Sequence, residues 1–324
     1  MKHDAKIYIA GHRGLVGSAL LETLKKNNYN NIITHDVNTL DLRNQQAVNA
    51  FFAKEQPEYI FLAAAKVGGI KANTQYPADF IYDNLMIAAN VIHAAYLFSA
   101  KKLLFLGSSC IYPRLCSQPI KEEYLLTNQL EKTNEPYAIA KIAGLKLCES
   151  YNKQYGTNFI ACMPTNLYGP RDNFDLESSH VIPALIAKVD QAKDNKNPSL
   201  FLWGTGKPRR EFLYIDDLVE ALLHLMNNYN KSALINIGTG KDISIAELAG
   251  FIKEIVGYKG KICFNQNQLD GTPQKLLNID RIAKLGWHAK TSLKEGLQKT
   301  YEWYCMHKKY KEILIKRPNK IVNS

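Results

Sequence analysis

The sequence lacks the features that would mark a membrane-spanning, disulfide-stabilised or metal-binding protein. It contains no apolar run of about eighteen residues and no pattern typical of a cleaved signal peptide, so we expect a soluble, cytoplasmic protein. Its 6 cysteines form no Cys-x-x-Cys pair and have no metal-ligand spacing with histidine. We therefore expect free thiols in a reducing compartment and no bound metal.

A nucleic-acid partner is not indicated either, although the formal net charge is +11. The basic residues are scattered and form no stripe interleaved with aromatic residues. They are concentrated only in the tail 308–324, where six Lys or Arg accompany one Glu, and we expect a frayed, solvated end there. A cleft that binds small molecules carrying phosphate groups would also be positively charged.

Strand-like and helical segments alternate through the first half of the chain. The strand-like runs lie at 6–10, 31–35, 58–63, 102–107, 158–163 and 234–237, and the helical runs lie at about 15–27, 44–55, 78–99 and 136–155. This alternation predicts an α/β fold with a doubly wound, Rossmann-like parallel sheet. We expect a cofactor-binding domain at 1–165 and a smaller C-terminal substrate lobe at 166–324, with segments around 210–240 returning to the main sheet.

A glycine-rich turn follows the first predicted strand and precedes an amphipathic helix. Gly11, Gly14 and Gly17 are spaced Gly-x-x-Gly-x-x-Gly, which differs from the more common Gly-x-Gly-x-x-Gly. Glycines allow a tight turn and a close backbone approach, and the following helix N-terminus faces a pyrophosphate. The segment therefore predicts a dinucleotide site, with a glycine-rich turn without ligand as the alternative.

Tyr137 and Lys141 stand four residues apart in a predicted helix, about thirty residues after Ser108. A lysine cation beside a phenol favours the phenolate, so the tyrosine can give or take a proton near neutral pH. The ammonium can also hold a ribose hydroxyl, and a serine hydroxyl at a strand end can bond the carbonyl being reduced. Together with the glycine-rich turn, this pattern indicates a nicotinamide-dependent oxidoreductase.

Ten stretches give the chain a resemblance to the extended short-chain dehydrogenase/reductase family, and within it to enzymes that modify GDP-linked sugars. They are AGHRGLVGSA (10–19), LAAAKVGGIKAN (62–73), YPADFIYDN (76–84), FLGSSCIYPR (105–114), NEPYAIAKIAG (134–144), MPTNLYGPRDNF (163–174), SHVIPALI (179–186), RREFLYIDDL (209–218), NIGTG (236–240) and DGTPQKLL (270–277). The resemblance implies NADPH-dependent epimerisation at C3 and C5 and reduction at C4 of GDP-4-keto-6-deoxy-D-mannose.

The resemblance also implies which residues form the site. The implied catalytic residues are Ser108, Tyr137, Lys141, Cys110 and His180. The implied cofactor-binding residues are Gly11, His12, Arg13, Gly14, Leu15, Val16, Gly17, Asp36, Asp41, Leu42, Ala63, Ala64, Leu106, Gly107, Ser108, Lys141, Pro164, Thr165, Asn166, Leu167 and His180. The implied substrate-binding residues are Lys188, Trp203, Arg210 and Asp270.

Several of these residues also have structural explanations that the sequence leaves open. Cys110 suits a small buried residue at a strand end, and His180 suits a hydrogen-bonded structural histidine. The implied function instead gives Cys110 and His180 a chemical role, because a ketone at C4 acidifies the protons on C3 and C5. A thiol whose pKa lies near the working pH and a histidine can move such protons across the two ring faces. Lys188 could instead be a solvated charge, Trp203 a core residue and Asp270 a turn residue.

The choice of cofactor is less settled. Asp36 follows the second predicted strand, where an acid commonly bonds a ribose 2′-hydroxyl and favours NAD. The family pattern has an arginine near position 37, where this chain has Val37, but Arg13 matches the family and can pair with a 2′-phosphate. His35 could add a contact if protonated. We expect NADP(H), with NAD(H) as the alternative.

Two other functions remain open. One is a C4 reductase that acts on a related GDP-4-keto sugar such as a heptose, with epimerisation left to a partner enzyme. The other is a non-enzymatic NADP-binding regulator on the same fold. A homodimer is also expected, because the helices near 78–99 and 136–155 carry more apolar surface than one sheet face needs and relatives pair them as a four-helix bundle. The apolar residues concerned are Phe80, Ile81, Leu85, Met86, Ile87, Ile139, Ile142, Leu145 and Leu147.

Overall fold

The computed structural model describes residues 1–176, 178–265 and 272–316, with side chains as far as Lys309. Its strands are β1 (Ile7–Ala10), β2 (Ile32–Ile33), β3 (Tyr59–Leu62), β4 (Lys102–Leu106), β5 (Phe159–Pro164), β6 (Asn166–Tyr168), β7 (Ser199–Trp203), β8 (Arg209–Tyr214), β9 (Ile235–Ile237), β10 (Asp242–Ser244), β11 (Lys261–Asn265) and β12 (Gln274–Lys275). Its helices are α1 (Leu15–Lys26), α2 (Gln45–Glu55), α3 (Ile70–Gln75), α4 (Pro77–Leu97), α5 (Glu135–Tyr155), α6 (Val181–Asp194), α7 (Ile215–Asn228), α8 (Ile245–Val256), α9 (Asp280–Lys284) and α10 (Leu293–Lys316).

Six strands form a central sheet in the order β2-β1-β3-β4-β5-β9. Every neighbouring pair in this sheet is parallel. Strand β2 lies on one side of β1, and β3 and the strands after it lie on the other side. This reversal places a topological switch point beside β1. The doubly wound α/β fold predicted from the alternation of strands and helices is thereby confirmed.

Alternate side chains of the central strands enter two cores on opposite faces of the sheet. Ile7, Ile9 and Leu104 pack with α1 and α7 on one face. Tyr8 and Leu103 pack with α2, α4 and α5 on the other face. Because successive side chains of a strand point to opposite faces, a strand covered on both sides must be apolar throughout.

The lobe after β5 contains two smaller sheets. In one of them β8 pairs with β6 and β12 in parallel and with β10 in antiparallel orientation, and β7 and β11 form the other. The chain returns to the central sheet through α7, which packs against α1, and through β9. Residues around 210–240 were expected to return to the main sheet. Strand β8, which lies in this range, belongs instead to the second sheet, where it pairs with β6, β10 and β12. The division into two domains stays a prediction.

The C-terminal tail is more ordered than the sequence indicates. Helix α10 continues to Lys316, so the frayed end predicted for 308–324 is wrong for its first nine residues. Lys308 is held by ion pairs with Asp190, at 2.6 Å, and with Asp194, both on α6. Residues 317–324 lie outside the described part of the chain. Among the helices in the described ranges, none is long and apolar enough to cross a membrane.

A buried lysine joins β4 to the end of α7. Lys102 is only 3% exposed, and its Nζ donates to the carbonyls of Leu225 (3.1 Å), Met226 (2.7 Å) and Tyr229 (2.6 Å) and to Asn230 Oδ1 (3.0 Å). The last carbonyls of a helix have no intrahelical partner, and a cation there is favoured by the helix dipole. Burial lowers the pKa of Lys102 to about 8.

We predict that Lys102→Met lowers the free energy of unfolding by about 2–4 kcal/mol, because buried carbonyls lose their donor. Urea denaturation measures this loss. The matched control is Lys101→Met, since the neighbouring Lys101 is exposed and pairs with Glu58 at the surface. This control should lose less than about 1 kcal/mol. Equal losses for the two variants would contradict the role assigned to Lys102.

Candidate active site

The carboxyl edge of the central sheet gathers the residues that were predicted to bind the cofactor. Gly11 follows β1, Ala63 and Ala64 follow β3, and Leu106 and Pro164 are the last residues of β4 and β5. Ligands of open parallel sheets bind outside this edge, at the switch point in strand order. The fold therefore brings segments that are far apart in the sequence to one binding edge.

The glycine-rich turn is shaped by two close backbone approaches. Gly11 has φ +88°, and a Cβ there would lie 2.7 Å from the backbone of Ala64. A Cβ on Gly17 would lie 2.2 Å from the carbonyl oxygen of Gly11. Helix α1 begins at Leu15 without a side-chain cap and without an acid in its first turn. Its N-terminal amides thus suit an anion, so the turn fits the diphosphate of a dinucleotide.

An ion pair stands where the second strand meets the glycine-rich turn. Arg13 Nε lies 2.5 Å from Asp36 Oδ1, and His12 Nε2 lies 3.8 Å from the same oxygen. The Arg13 side chain is 75% exposed, so it can reach a ligand at this end of the sheet. Asp41 is bound instead by Arg43, whose hydrogen bond lowers the pKa of the Asp41 carboxyl.

Tyr137 lies in the first turn of α5 and faces the end of β4. Its phenol is hydrogen-bonded to Ser108, and its ring packs edge-on against Phe80 with centroids 6.4 Å apart. Burial raises the pKa of Tyr137, the nearby Cys110 thiol adds to this effect, and the Ser108 hydrogen bond acts in the opposite direction. The structure therefore brings the predicted serine and tyrosine together and favours the protonated phenol.

Lys141 is buried one helical turn after Tyr137. Its Nζ donates to the carbonyl of Leu106 at 2.8 Å and lies 5.7 Å from the centre of the Tyr137 ring. Burial lowers the pKa of Lys141 to about 8. The expected net lowering of the Tyr137 pKa is wrong for this arrangement, because burial is the largest influence on that pKa and raises it.

Cys110 lies in a short 3₁₀ turn, Ser109–Ile111, directly after Ser108. Its Sγ accepts a hydrogen bond from Asn134 Nδ2 at 3.1 Å, and its backbone N–H donates to Ser108 Oγ at 3.3 Å. The residue is only partly buried, unlike Cys148 and Cys162 in the core, so the alternative of a buried apolar residue does not hold. Asn134 was not predicted as a site residue, although it immediately precedes α5.

His180 immediately precedes α6, in a loop that is bonded to the segment after β3. The backbone N–H of Gly69 donates to the carbonyl of Ser178 at 3.2 Å. The His180 side chain is exposed, yet the protein atoms around it lower its pKa through partial desolvation. The lowered pKa favours the neutral imidazole form.

Two of the predicted substrate residues lie against each other in the C-terminal lobe. Lys188 Nζ on α6 lies 5.4 Å from the ring centre of Trp203 at the end of β7. Trp203 is 71% exposed, so it is not the core residue that the sequence left open. Arg210 lies on β8, where its guanidinium donates to the carbonyl of Arg209 at 2.8 Å. Asp270 lies outside the described residues.

A buried carboxylate next to Arg210 was missed by the sequence reasoning. Glu211 accepts hydrogen bonds from the backbone N–H groups of Thr239 (2.6 Å), Gly240 (2.7 Å) and Leu277 (2.9 Å), and burial raises its pKa. Thr165 and Asn166 donate to its carbonyl oxygen at 3.1 and 2.8 Å. Glu211 thus holds the segment that follows β5, which includes the predicted residues Thr165, Asn166 and Leu167, against β8.

Comparisons with known proteins agree with this arrangement. A model of the NAD dependent epimerase/dehydratase family matches residues 7–238. A putative GDP-L-fucose synthase 2 from Arabidopsis thaliana is 53% identical over 304 residues, which cover 94% of this chain and 93% of that protein. A GDP-L-fucose synthase from Escherichia coli (strain K12) is 51% identical over 308 residues, 92% of this chain and 96% of that protein. The structure of a GDP-mannoheptose C4 reductase from Campylobacter jejuni with NADP bound is 44% identical, with a TM-score of 0.87, and covers 94% of this chain and 99% of that chain.

We predict that Gly17→Ala weakens NADPH binding by about tenfold or more, because the new Cβ pushes the turn away from the diphosphate position. Quenching of protein fluorescence on NADPH titration measures the dissociation constant. Gly250→Ala is the matched control: Gly250 also lies within a helix, and a Cβ there would meet nothing within 4 Å. The control should bind NADPH normally and gain about 0.5–1 kcal/mol of stability. Unchanged binding by Gly17→Ala would refute the prediction.

Proposed function

The chain belongs to the NAD dependent epimerase/dehydratase family, and we propose that it converts GDP-4-keto-6-deoxy-D-mannose to GDP-L-fucose by epimerisation at C3 and C5 and reduction at C4. One observation carries this proposal: a single cluster at the end of β4 combines Ser108, Tyr137 and Lys141 with Cys110. Groups for carbonyl reduction and for proton transfer at carbon therefore stand side by side.

The chain's own residues fit a nicotinamide dinucleotide, and we propose NADP(H). The uncapped N-terminus of α1 and the glycine-rich turn receive the diphosphate, and Arg13 offers a planar fork for a 2′-phosphate. Asp36 pairs with Arg13 and so is less available to a ribose 2′-hydroxyl. Lys141 would hold the nicotinamide ribose. When bound, the cofactor supplies the hydride for C4.

We assign the proton donor of the reduction to Tyr137. The buried surroundings that raise the pKa of its phenol keep the proton in place until the C4 oxygen gains negative charge. Ser108 donates a second hydrogen bond to that oxygen. The positive charge of Lys141, close to the Tyr137 ring, stabilises the phenolate that remains after proton transfer.

Cys110 and His180 are the proposed proton-transfer groups of the epimerisation. The ketone at C4 lets a C–H electron pair at C3 or C5 form an enolate when one group takes the proton. The other group then returns a proton to the opposite face, which inverts the carbon. Desolvation lowers the pKa of His180 and so keeps its imidazole neutral and able to accept a proton near neutral pH.

The GDP portion would lie along the C-terminal lobe. Lys188 and Arg210 provide positive charge for the diphosphate, and the exposed Trp203 provides a flat apolar surface beside Lys188. Glu211 positions the strand that carries Arg210 through three backbone hydrogen bonds. A substrate contact by Asp270 stays a prediction from the family resemblance.

A second candidate is reduction at C4 alone, on a GDP-linked heptose. It is suggested by a GDP-mannoheptose C4 reductase that is 44% identical, but the identity to the two fucose synthases is higher, at 51–53%. The reductive residues are common to both candidates, so epimerisation alone separates them. A non-enzymatic regulator would not need Ser108, Tyr137 and Lys141 together, and the fold brings all three into one cluster.

A homodimer formed through α4 and α5 is part of the proposal. These helices pack side by side on one face of the sheet, and the stacked rings of Tyr96 and Tyr155 join their ends. Large apolar side chains remain exposed on them: Tyr82, Leu97, Ile139 and Tyr155. Three residues that were expected to contribute, Phe80, Ile142 and Leu145, are buried in the chain's own core instead.

We predict that light scattering at low micromolar concentration gives about twice the chain mass of 36.6 kDa. Ile139→Glu should shift the protein towards monomer, because it places a charge in the apolar contact. Met306→Glu is the control, since Met306 is also an exposed apolar residue, 65% exposed against 41% for Ile139, and it lies on α10 and not on α4 or α5. A monomeric wild-type protein would rule out this assembly.

We predict that the wild-type protein, given GDP-4-keto-6-deoxy-D-mannose and NADPH in heavy water, forms GDP-L-fucose with deuterium at C3 and C5. Mass spectrometry and NMR of the product measure both outcomes, and parallel reactions with NADH test the cofactor preference. Tyr137→Phe should lose most turnover and keep NADPH binding, because only the proton donor is removed. A reduced product without deuterium would favour the reductase-only candidate instead.

A further inference from the structure

Asn134 occupies the N-cap position of α5 but does not cap the helix. Asparagine is favoured at this position because its Oδ1 accepts a backbone N–H of the first turn, as Asn44 does for α2 at 3.0 Å. At α5 no side-chain cap bond forms, and Asn134 Oδ1 is buried without a hydrogen-bond partner among the described residues. The helix therefore forgoes a local stabilising interaction.

The amide of Asn134 is directed at Cys110 instead. Its Nδ2 donates to Cys110 Sγ at 3.1 Å, while Ser108 Oγ holds the backbone N–H of Cys110 at 3.3 Å. A hydrogen bond from an N–H group is stronger to a thiolate than to a neutral thiol. An asparagine at the N-cap position that makes no cap hydrogen bond and leaves a buried oxygen unpaired is typical of a functional position.

We propose that Asn134 is a positioning residue for the epimerisation, which holds Sγ of Cys110 and stabilises its thiolate form. This inference rests on the proton-transfer role proposed for Cys110. When the thiolate takes a proton from C3 or C5, an S–H bond forms and the C–H electron pair enters the enolate. When Cys110 returns a proton, the S–H bond breaks. Proton uptake starts from the thiolate and proton return ends at the thiolate, so a group that stabilises the thiolate affects both steps. The Asn134 amide itself neither gains nor loses a proton.

Among the described residues, two groups of α5 also act on the charge of Cys110. Tyr137 and Lys141 interact with it electrostatically, and both remain unchanged in every variant below. A change in thiolate formation caused by replacing Asn134 can therefore be assigned to the lost amide. The proposed reduction at C4 uses the phenol of Tyr137, which is hydrogen-bonded to Ser108, whereas the Asn134 amide is bonded to Cys110, so the two activities should respond differently.

The first test measures thiolate formation directly. Cys110 is alkylated with iodoacetamide across a pH series, and the modified peptide is quantified by mass spectrometry. In Asn134→Ala the midpoint of the alkylation profile should move upward by about one pH unit, the loss of one charge-assisted hydrogen bond. Asn134→Asp retains the capacity to cap α5 but places an acceptor beside the sulfur, and it should shift the midpoint further. Cys263, on β11, is the internal reference.

The second test separates the two activities. Deuterium exchange at C3 and C5, measured in heavy water with NADP⁺ so that no reduction occurs, should fall about tenfold in both variants. Reduction of a keto sugar that is already epimerised should stay within about twofold of the wild-type rate. Asn44→Ala removes a genuine asparagine cap elsewhere, so it should lower the unfolding temperature and leave exchange unchanged.

Each other outcome overturns the inference. Equal losses of exchange and reduction would show that Asn134 merely supports the fold of the site. An unmoved alkylation profile with a lower unfolding temperature would show the same. Normal deuterium exchange in Asn134→Asp would show that a hydrogen-bond acceptor at position 134 is sufficient, and so that Asn134 does not act by donating to the Cys110 sulfur. A wild-type enzyme that reduces without exchange would overturn the proposed epimerisation itself, whatever the alkylation profile shows.

Discussion

The bond from the buried Lys141 ammonium to the last carbonyl of β4 is the contact on which the site depends. It holds the first turns of α5 against the end of the central sheet. Asn134, Tyr137 and Lys141 are spaced so that they share one face of that helix. Once Lys141 is anchored, Tyr137 meets Ser108 and Asn134 meets Cys110. One helix face therefore aligns both chemistries.

Burial decides the electrostatics of this cluster. It raises the pKa of Tyr137 and lowers that of Lys141, so each group moves towards its neutral form. The same low-polarity surroundings strengthen any charge interaction that develops during the reaction. The resting site therefore keeps the Tyr137 phenol protonated, which suits the proton-donor role proposed for it.

The sequence predicted the central sheet and the glycine-rich turn because both depend on local patterns. Strands covered on both faces must be apolar, and Gly11 and Gly17 are required by backbone contacts within one turn. The contacts of Lys102, Asn134 and Glu211 could not be predicted, since each joins segments that only the folded topology brings together. The direction of the Tyr137 pKa was wrong for the same reason: the spacing shows which side chains share a face, but not how deeply they are buried.

Helix α6 places two of the proposed functions on one rigid element. It begins immediately after His180, and Lys188 follows eight residues along the chain, a rise of about 12 Å. The distance between the backbone positions of His180, the proposed proton-transfer residue, and Lys188, beside Trp203, is therefore set by helix geometry. A substrate must match this length to present its sugar carbon and its diphosphate at the same time. With the roles proposed for His180 and Lys188, this spacing would favour a sugar carried on a nucleotide diphosphate over the free sugar or its monophosphate.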